Sequence, residues 1–524
     1  MNFISKHLFF SSFSVALLFI IIFASLFNIQ FETNDDALSM HILAGSISGE
    51  SSPYILFCNI LWASFLSFLY SHFDGINWYP LSFIIGHICF LSVFLWFIFK
   101  KINHKTQLYL WLLFVLGIES LLLIHLQFTS TATLLGFSAL MLFTESALQK
   151  RFSLALFASV LLIMCILIRV EAAIAVAIIG SLFFLIKVPI RQSIPIVVFS
   201  LCLLGLEQII QRDAYQPFYD IAMQTPKNQA TILFLQDYPI TIKDPDLSKI
   251  NWTKNDYLVF KHWFWADRQF HTPSNFGQLA SIAHLDLNIY NKIKHSGSFL
   301  YHYMGFVLGV FFFILTQFRS FKKKKLWLIA IPILLIFIYL IVVERMFPRV
   351  VFPLVFGALL LSLFENEANS EVMLWRPKLL ISLVFIAFLS QFIIFQKINI
   401  ENKIAFEKEF AAINRYPSSL IVNKGSCLNI EGCPIWQLPK TYSKQNFTFV
   451  DFMVGLPTFE SVMAQRGIKN LMSSLWERND ILIVADDVND ICTFAKEHYN
   501  TDVHAAYIEK DISPGIHLFK IIKN

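Results

Sequence analysis

The sequence predicts a mainly α-helical, polytopic membrane protein of about eleven transmembrane helices with a small extracytoplasmic α/β domain at its C-terminal end. Three observations lead there. Of its 524 residues, 56% are hydrophobic and only 15% charged, and the mean hydropathy is +0.60; a water-soluble domain has no place for that much apolar surface. Apolar runs near spanning length recur from residue 8 to residue 395. Beyond about Ile398 the chain becomes more polar and alternates strand and helix patterns. The net charge of +5 is small and gathers at the ends of apolar runs, which marks topology and argues against a nucleic-acid surface.

The first run, Leu8–Ile29, follows Lys6 and is too long for the core of a cleavable leader. Ala24-Ser25 makes a poor cleavage site, so a retained anchor is expected. Further runs are Pro80–Phe99, Leu108–Leu126, Thr131–Leu148, Phe152–Ile168, Ala172–Lys187, Ser193–Ile210, Phe299–Phe318, Leu326–Val343, Val350–Phe364 and Leu379–Phe395. Tyr54–Tyr70 is ambiguous, and positive charge decides it. If it does not span, Lys6, Lys100-Lys101, Lys150-Arg151, Lys187, Arg191, Lys322–Lys325, Arg376 and Lys378 all fall on the cytoplasmic side. If it spans, every later cluster moves outside. Tyr54–Tyr70 is therefore expected as an interfacial helix entered at Pro53. The chain then sits in the inner or plasma membrane with its N-terminus cytoplasmic. A membrane domain covers residues 1–397, with outer loops at 30–79 and 211–297, and an extracytoplasmic domain covers 398–524.

In that last stretch Leu420–Val422, Ile481–Val484, Val503–Ile508 and Ile516–Ile521 read as strands, Thr458–Leu475 and Val488–Tyr499 as helices. It holds no Gly-rich phosphate loop. None of the seven cysteines has zinc-site spacing. Cys427 and Cys433 suit either a small disulfide loop or two thiols, leaving Cys492 single.

The residues that carry chemistry begin with Asn34-Asp35-Asp36, just after the first span. Adjacent carboxylates at a membrane surface repel, and burial would raise their pKa values. A carboxylate there can take a proton from an acceptor hydroxyl. The plainer reading is a helix start near Ala37 capped by Asn34 or Asp35. Arg169 and Glu171 flank the outer end of the fifth span. Two residues apart on a helix they would not face each other, so each should seek another partner, either in a structural ion pair or on a ligand. Glu344-Arg345-Met346-Phe347-Pro348-Arg349 places two arginines on the outer side, against the positive-inside rule. Arg345 and Arg349 suit a lipid phosphate, or simple headgroup anchoring. His125 suits a substrate contact or helix packing, and Glu119 and Glu207 suit packing partners. His87 and His302 carry no pattern. The long outer loop interleaves Trp252, Tyr257, Phe260, Trp263, Phe264 and Trp265 with Asp256, Asp267 and Arg268. Trp263 and Asp267 are candidates for holding sugar, and an interfacial aromatic belt is the equal alternative. No metal-binding cluster stands at helical spacing.

An acidic pair after the first span, followed by Ala37–Ser48 and Pro53–Tyr70 before the second, resembles the GT-C superfamily of membrane glycosyltransferases, among them protein O-mannosyltransferases and the lipid A aminoarabinose transferase. Asn34-Asp35-Asp36, Ser52-Pro53, Ile76-Asn77-Trp78-Tyr79, Asn251-Trp252-Thr253-Lys254-Asn255-Asp256 and Gly467-Ile468-Lys469-Asn470 are similar to a bacterial subgroup of this type. The resemblance implies Asp35 as catalytic base and Asp36 as the second acidic position, orienting the acceptor or holding a cation; Asp stands there for the usual Glu. It implies no required cofactor and admits a divalent cation. The expected partners are a polyprenyl-phosphate-linked sugar donor, membrane lipids, and a glycan, lipid or protein acceptor, with no nucleic acid. The expected reaction is sugar transfer to a cell-envelope hydroxyl with inversion, Arg169, Arg345 and Arg349 holding the lipid phosphate. The rival expectation is a flippase of lipid-linked saccharides without chemistry.

Overall fold

The computed structural model describes residues 3–218, 220–223, 225–237, 240–285, 289–317, 347–361, 377–442 and 446–524, with isolated positions between 331 and 363. Arg345, the Lys322–Lys325 run and most of the expected span Leu326–Val343 lie outside the described residues. The chain divides into two compact units. One gathers Met1–Glu32, Pro80–Gln208 and Asn288–Ile400, the other Thr33–Tyr79, Ile209–Leu287 and Glu401–Asn524.

The chain is mainly helical and is a membrane protein. Among the described residues six helices are long and apolar enough to cross a bilayer: His7–Leu26, Trp78–Lys101, Lys105–Ile124, Phe128–Gln149, Ile190–Phe218 and Lys378–Ile413. Phe152–Ile168, Val170–Gly180, Met304–Leu315 and Pro348–Leu361 are apolar and shorter. Packing separates inner helices from outer ones. Phe128–Gln149 is almost wholly enclosed, whereas His7–Leu26 presents Phe10, Leu18 and Ile21 outward, a pattern that suits hydrocarbon and not water. Small residues let the inner helices close up. A Cβ on Gly357 would lie 2.0 Å from the Phe137 ring, and one on Gly180 2.1 Å from Leu140.

Where spans end, the backbone is satisfied locally. Gln30–Phe31 (β1) pairs in parallel with His125–Leu126 (β2). Asn399 binds this junction: its amide donates to the carbonyls of Asn28 and Ile124, and its own carbonyl accepts from Gln30 at 2.7 Å. A bilayer offers no water to such groups, so the protein supplies the partners.

The second unit holds a five-stranded sheet. After the short antiparallel ladder Ile240–Thr241 (β3) with His284–Leu285 (β4), its strands are Leu420–Asn423 (β5), Phe447–Phe449 (β6), Ile481–Ala485 (β7), Val503–Ser513 (β8) and Ile516–Lys523 (β9). The order is β6-β5-β7-β9-β8, with β6, β5 and β7 parallel and β9 antiparallel to both neighbours. Strands β5 and β7 are buried at every position, as strands covered on both faces are. Strand β6, three residues long, is too short to show a period in sequence. The helix expected over Thr458–Leu475 is two helices, Pro457–Gln465 and Leu471–Glu477. Gly467 breaks it with φ +64, and Asn470 caps the second piece by accepting from Ser473 N–H.

The segments after the first span and after Ile190–Tyr215 pack with this sheet in the same unit. Asn34–Leu43 is helical. The helix expected over Tyr54–Tyr70 instead covers Ile60–His72, because Pro53 opens a run of tight turns and Asn59 supplies the cap, accepting from Leu61 N–H at 2.8 Å. Farther on, Trp252, Phe260, Phe264, Trp265 and Phe276 form a buried aromatic core. Trp265 N–H donates to Val450 at 2.7 Å, tying that core to the loop after β6.

Candidate functional site

The acidic pair opens a helix, and the two carboxylates meet different surroundings. Thr33, extended at φ −137, occupies the N-cap position without a side-chain bond to the helix backbone. Asn34 and Asp35, expected as caps, are inside the first turn. Asp35 and Asp36 both favour the helix N-terminal dipole there. Asp36 is fully buried; it accepts from the Tyr79 hydroxyl and from Thr33 Oγ1, each at 3.0 Å. Asp35 is half-buried. Its neighbour Asn34 donates to Ser426 Oγ at 2.9 Å, which docks the helix start against the loop after β5.

Two further carboxylates in this unit feel Asp35. Asp451 follows β6, and burial pushes its carboxyl up to about 7, with Asp35 adding to the rise. Glu431 is likewise pushed up to about 7 by burial, with Glu409 and Asp35 contributing. Nothing in the sequence pattern marks either residue as functional.

The helical unit holds the basic residues. Arg349 donates its backbone N–H to Glu32 at 3.2 Å and its carbonyl accepts from Ser130 Oγ, while its guanidinium lies 4.5 Å from the Phe347 ring centre. Glu32, which sequence reading passed over, is pushed up to about 7 by burial, against the pull of Arg349. Arg169 lies over the Phe128 ring at 5.4 Å, two residues from Ser130. The structure thus brings Arg169 and Arg349 to the same Phe128–Ser130 segment. Arg345 lies outside the described residues.

Four expected site residues are engaged in the fold. Arg169 Nε and Glu171 Oε2 pair at 2.9 Å, against the expectation that the two would not meet. The helix is broken between them: Arg169 is extended at φ −157, ψ 106, so helical spacing does not apply. His125 Nε2 contacts Asn399 Oδ1 at 2.9 Å, and its ring packs on Phe395 at 4.3 Å. Asp267 accepts from the Tyr499 hydroxyl at 2.6 Å and from the N–H groups of Gln269 and Phe270. Its loop partners Trp252, Phe260, Phe264 and Trp265 are core, not a belt, and Trp263 alone of the tryptophans there remains partly exposed. Within the spans, His87 Nδ1 and Glu119 Oε1 pair at 3.0 Å, both fully buried.

One group of described residues has the size of a metal site: Asp256, Glu497 and His498 place ligand atoms within 4.8 Å of one another. Asp256 is already the N3 residue of a capping box, accepting from Thr253 N–H, and it pairs with His498 at 2.7 Å. Those bonds account for the cluster without an ion. The cysteines are all free thiols; burial pushes Cys433 up to about 12 and Cys427 to about 11.

No family model matches this chain, and no curated protein or solved structure matches it.

Proposed function

We propose that this protein is a glycosyltransferase of the GT-C type, moving a sugar from a polyprenyl-phosphate donor to a hydroxyl acceptor at the outer face of a bacterial inner or plasma membrane. The observation that carries the reading is the division between Asp36 and Asp35. One is fixed in place by Tyr79 and Thr33; the other is half-exposed and sits within electrostatic reach of two acids pushed up to about 7. A general base needs to be accessible, held in position, and close to groups that can share the proton it takes. Asp35 takes the acceptor proton. The acceptor oxygen then bonds to the anomeric carbon as the bond to the lipid phosphate breaks, inverting that centre, and the phosphate leaves as the anion. An anionic leaving group needs positive charge, and Arg169, Arg345 and Arg349 are the candidates the sequence offers for it. The layout behind this reading is eleven spans, N-terminus inside, with 398–524 outside and Ile60–His72 lying in the outer interface.

The rival is a flippase of lipid-linked saccharides, and the buried His87–Glu119 pair favours it, since ionisable groups within spans often serve transport. Purified protein in vesicles with a polyprenyl-phosphate sugar separates the two. Release of free polyprenyl phosphate, lost in Asp35→Asn, is the expected result. Movement of intact donor across the vesicle without cleavage would replace the transferase reading with transport.

A further inference from the structure

Six non-glycine residues among those described have positive φ: Phe57, Lys150, Asn251, Trp263, Asn500 and Asp511. Four have local reasons. Lys150, Asn251 and Asn500 end helices in the left-handed conformation, and Asp511 sits at a register shift between β8 and β9. The other two are bulky aromatics.

Trp263, at φ +55, follows the helix Lys254–Lys261. Its N–H donates to Phe260 at 3.1 Å, and Phe264 N–H donates to Val259 at 3.2 Å. That is the paired bonding of a Schellman end, whose left-handed position is ordinarily glycine. Phe57, at φ +60, is the middle of a three-residue turn closed by Cys58 N–H to Leu56 at 2.8 Å. With positive φ this is the rare, strained sense of that turn. Both backbones ask for glycine, and both carry a large ring.

The two rings converge on Phe452. Trp263 lies 5.2 Å from it and Phe57 5.6 Å, the latter edge-on. Phe452 is buried, while Trp263 and Phe57 are each partly exposed. The residue before Phe452 is Asp451, whose carboxyl is electrostatically coupled to Asp35, as is that of Glu431. Strain kept at adjoining positions marks side chains whose placement matters more than backbone comfort. The charge beside them limits what can be bound. An acidic cluster offers a phosphate no cation to pair with, so this is no place for the lipid-phosphate end of the donor. A ring with an apolar face and outward hydroxyls fits instead: the face stacks on the aromatics and the hydroxyls donate to the carboxylates.

We propose that Trp263 and Phe57, seated on Phe452, form the acceptor subsite, and that the acceptor is a neutral glycan whose pyranose ring stacks there with its hydroxyls turned to Asp451 and Asp35. This rests on the transferase reading for the word acceptor, but its test is a binding test. Full-length protein in nanodiscs is titrated with neutral tri- to hexasaccharides of glucose, galactose, mannose and N-acetylglucosamine, with the same sugars phosphorylated, and with a Ser/Thr-rich peptide, following ligand resonances by saturation transfer. At least one neutral oligosaccharide should bind, and the phosphorylated forms and the peptide should not. Trp263→Gly removes the ring and gives the turn the residue it favours. It should lose at least tenfold in glycan affinity while melting at or above the wild-type temperature. Phe57→Gly should behave in the same way. Failure of every neutral sugar to bind, binding of the peptide or the phosphorylated sugars in their place, or a Trp263→Gly protein that binds normally but melts lower, would each overturn the proposal. Donor cleavage lost in Asp35→Asn is a separate readout, so the subsite and the transferase reading can fail independently.

Discussion

The Tyr79 hydroxyl donates to Asp36 Oδ1 at 3.0 Å, so two neighbouring carboxylates have different surroundings. Asp36 is held at the start of its helix by Tyr79 and Thr33, whereas Asp35 beside it is half-buried and is the base in the proposed mechanism. Asp35→Asn should keep the fold and lower donor cleavage by roughly 10²–10⁴-fold. Tyr79→Phe, by contrast, should cost about 1–3 kcal/mol of stability, because it strips a partner from a buried acceptor. Thermal melting alongside polyprenyl-phosphate release distinguishes them, and an Asp35→Asn protein with full turnover ends the base assignment.

The raised carboxyls give the second unit a predictable response to pH. Asp451 and Glu431 titrate near 7 when folded, against ordinary values of 3.8 and 4.5. Between those limits the folded chain binds more protons than the unfolded one, so stability falls as pH rises from about 4 to about 7. Asp451→Asn should flatten that slope. Melting temperatures at pH 4.5, 6 and 7.5 would show it; an unchanged slope would mean that Asp451 is not buried in its charged form.

Within the helical unit, His87 and Glu119 form a pair whose side chains are both fully buried. Glu119→Leu alone should destabilise by about 3–5 kcal/mol, whereas the double change His87→Leu with Glu119→Leu should recover most of that loss. A double-mutant cycle of unfolding in detergent measures the coupling, and additive losses would contradict it.

Gly455 is at φ +81, and a Cβ there would stand 2.1 Å from the Ile221 carbonyl oxygen. Gly455→Ala should therefore cost more than about 1 kcal/mol through backbone strain and crowding together. Limited proteolysis between residues 209 and 287 should quicken in the variant; wild-type protection would show that the contact can yield.

Topology is open to direct labelling. Cysteines introduced at Asp74 and at Lys150, both exposed positions in an otherwise cysteine-free chain, should react from opposite sides of the membrane, Asp74 from outside. Labelling of both from one side would undo the eleven-span arrangement.

What the sequence made legible was set by length and repetition. The helix Phe152–Ile168 was readable to the residue, because a continuous apolar run bounded by charged residues leaves little choice of ends. Strands β5 and β7 were marked by short β-branched apolar runs, and the helix ending at Tyr499 by its acidic start and apolar spacing. The aromatic loop misled, since Trp252, Phe264 and Trp265 look the same in sequence whether they bind sugar or fill a core. Glu171 misled for a different reason: a single extended residue, Arg169, cancels helical spacing. Asp451 and Glu32 left no trace, as their importance lies in neighbours distant along the chain.

The assembly of the second unit from residues 33–79, 209–287 and 401–524 has a consequence in time. Its first segment leaves the ribosome long before its last. At roughly 5–20 residues per second, the gap between Tyr79 and the final strand is on the order of 20–90 s. Over that interval the aromatic core around Trp265 lacks the loop carrying Val450, and the helix bearing Asp35 lacks the loop carrying Ser426. The nascent protein therefore holds the Asp35 helix and its aromatic core unassembled together, so ribosome-stalled chains ending before residue 420 should bind chaperones that the finished protein ignores.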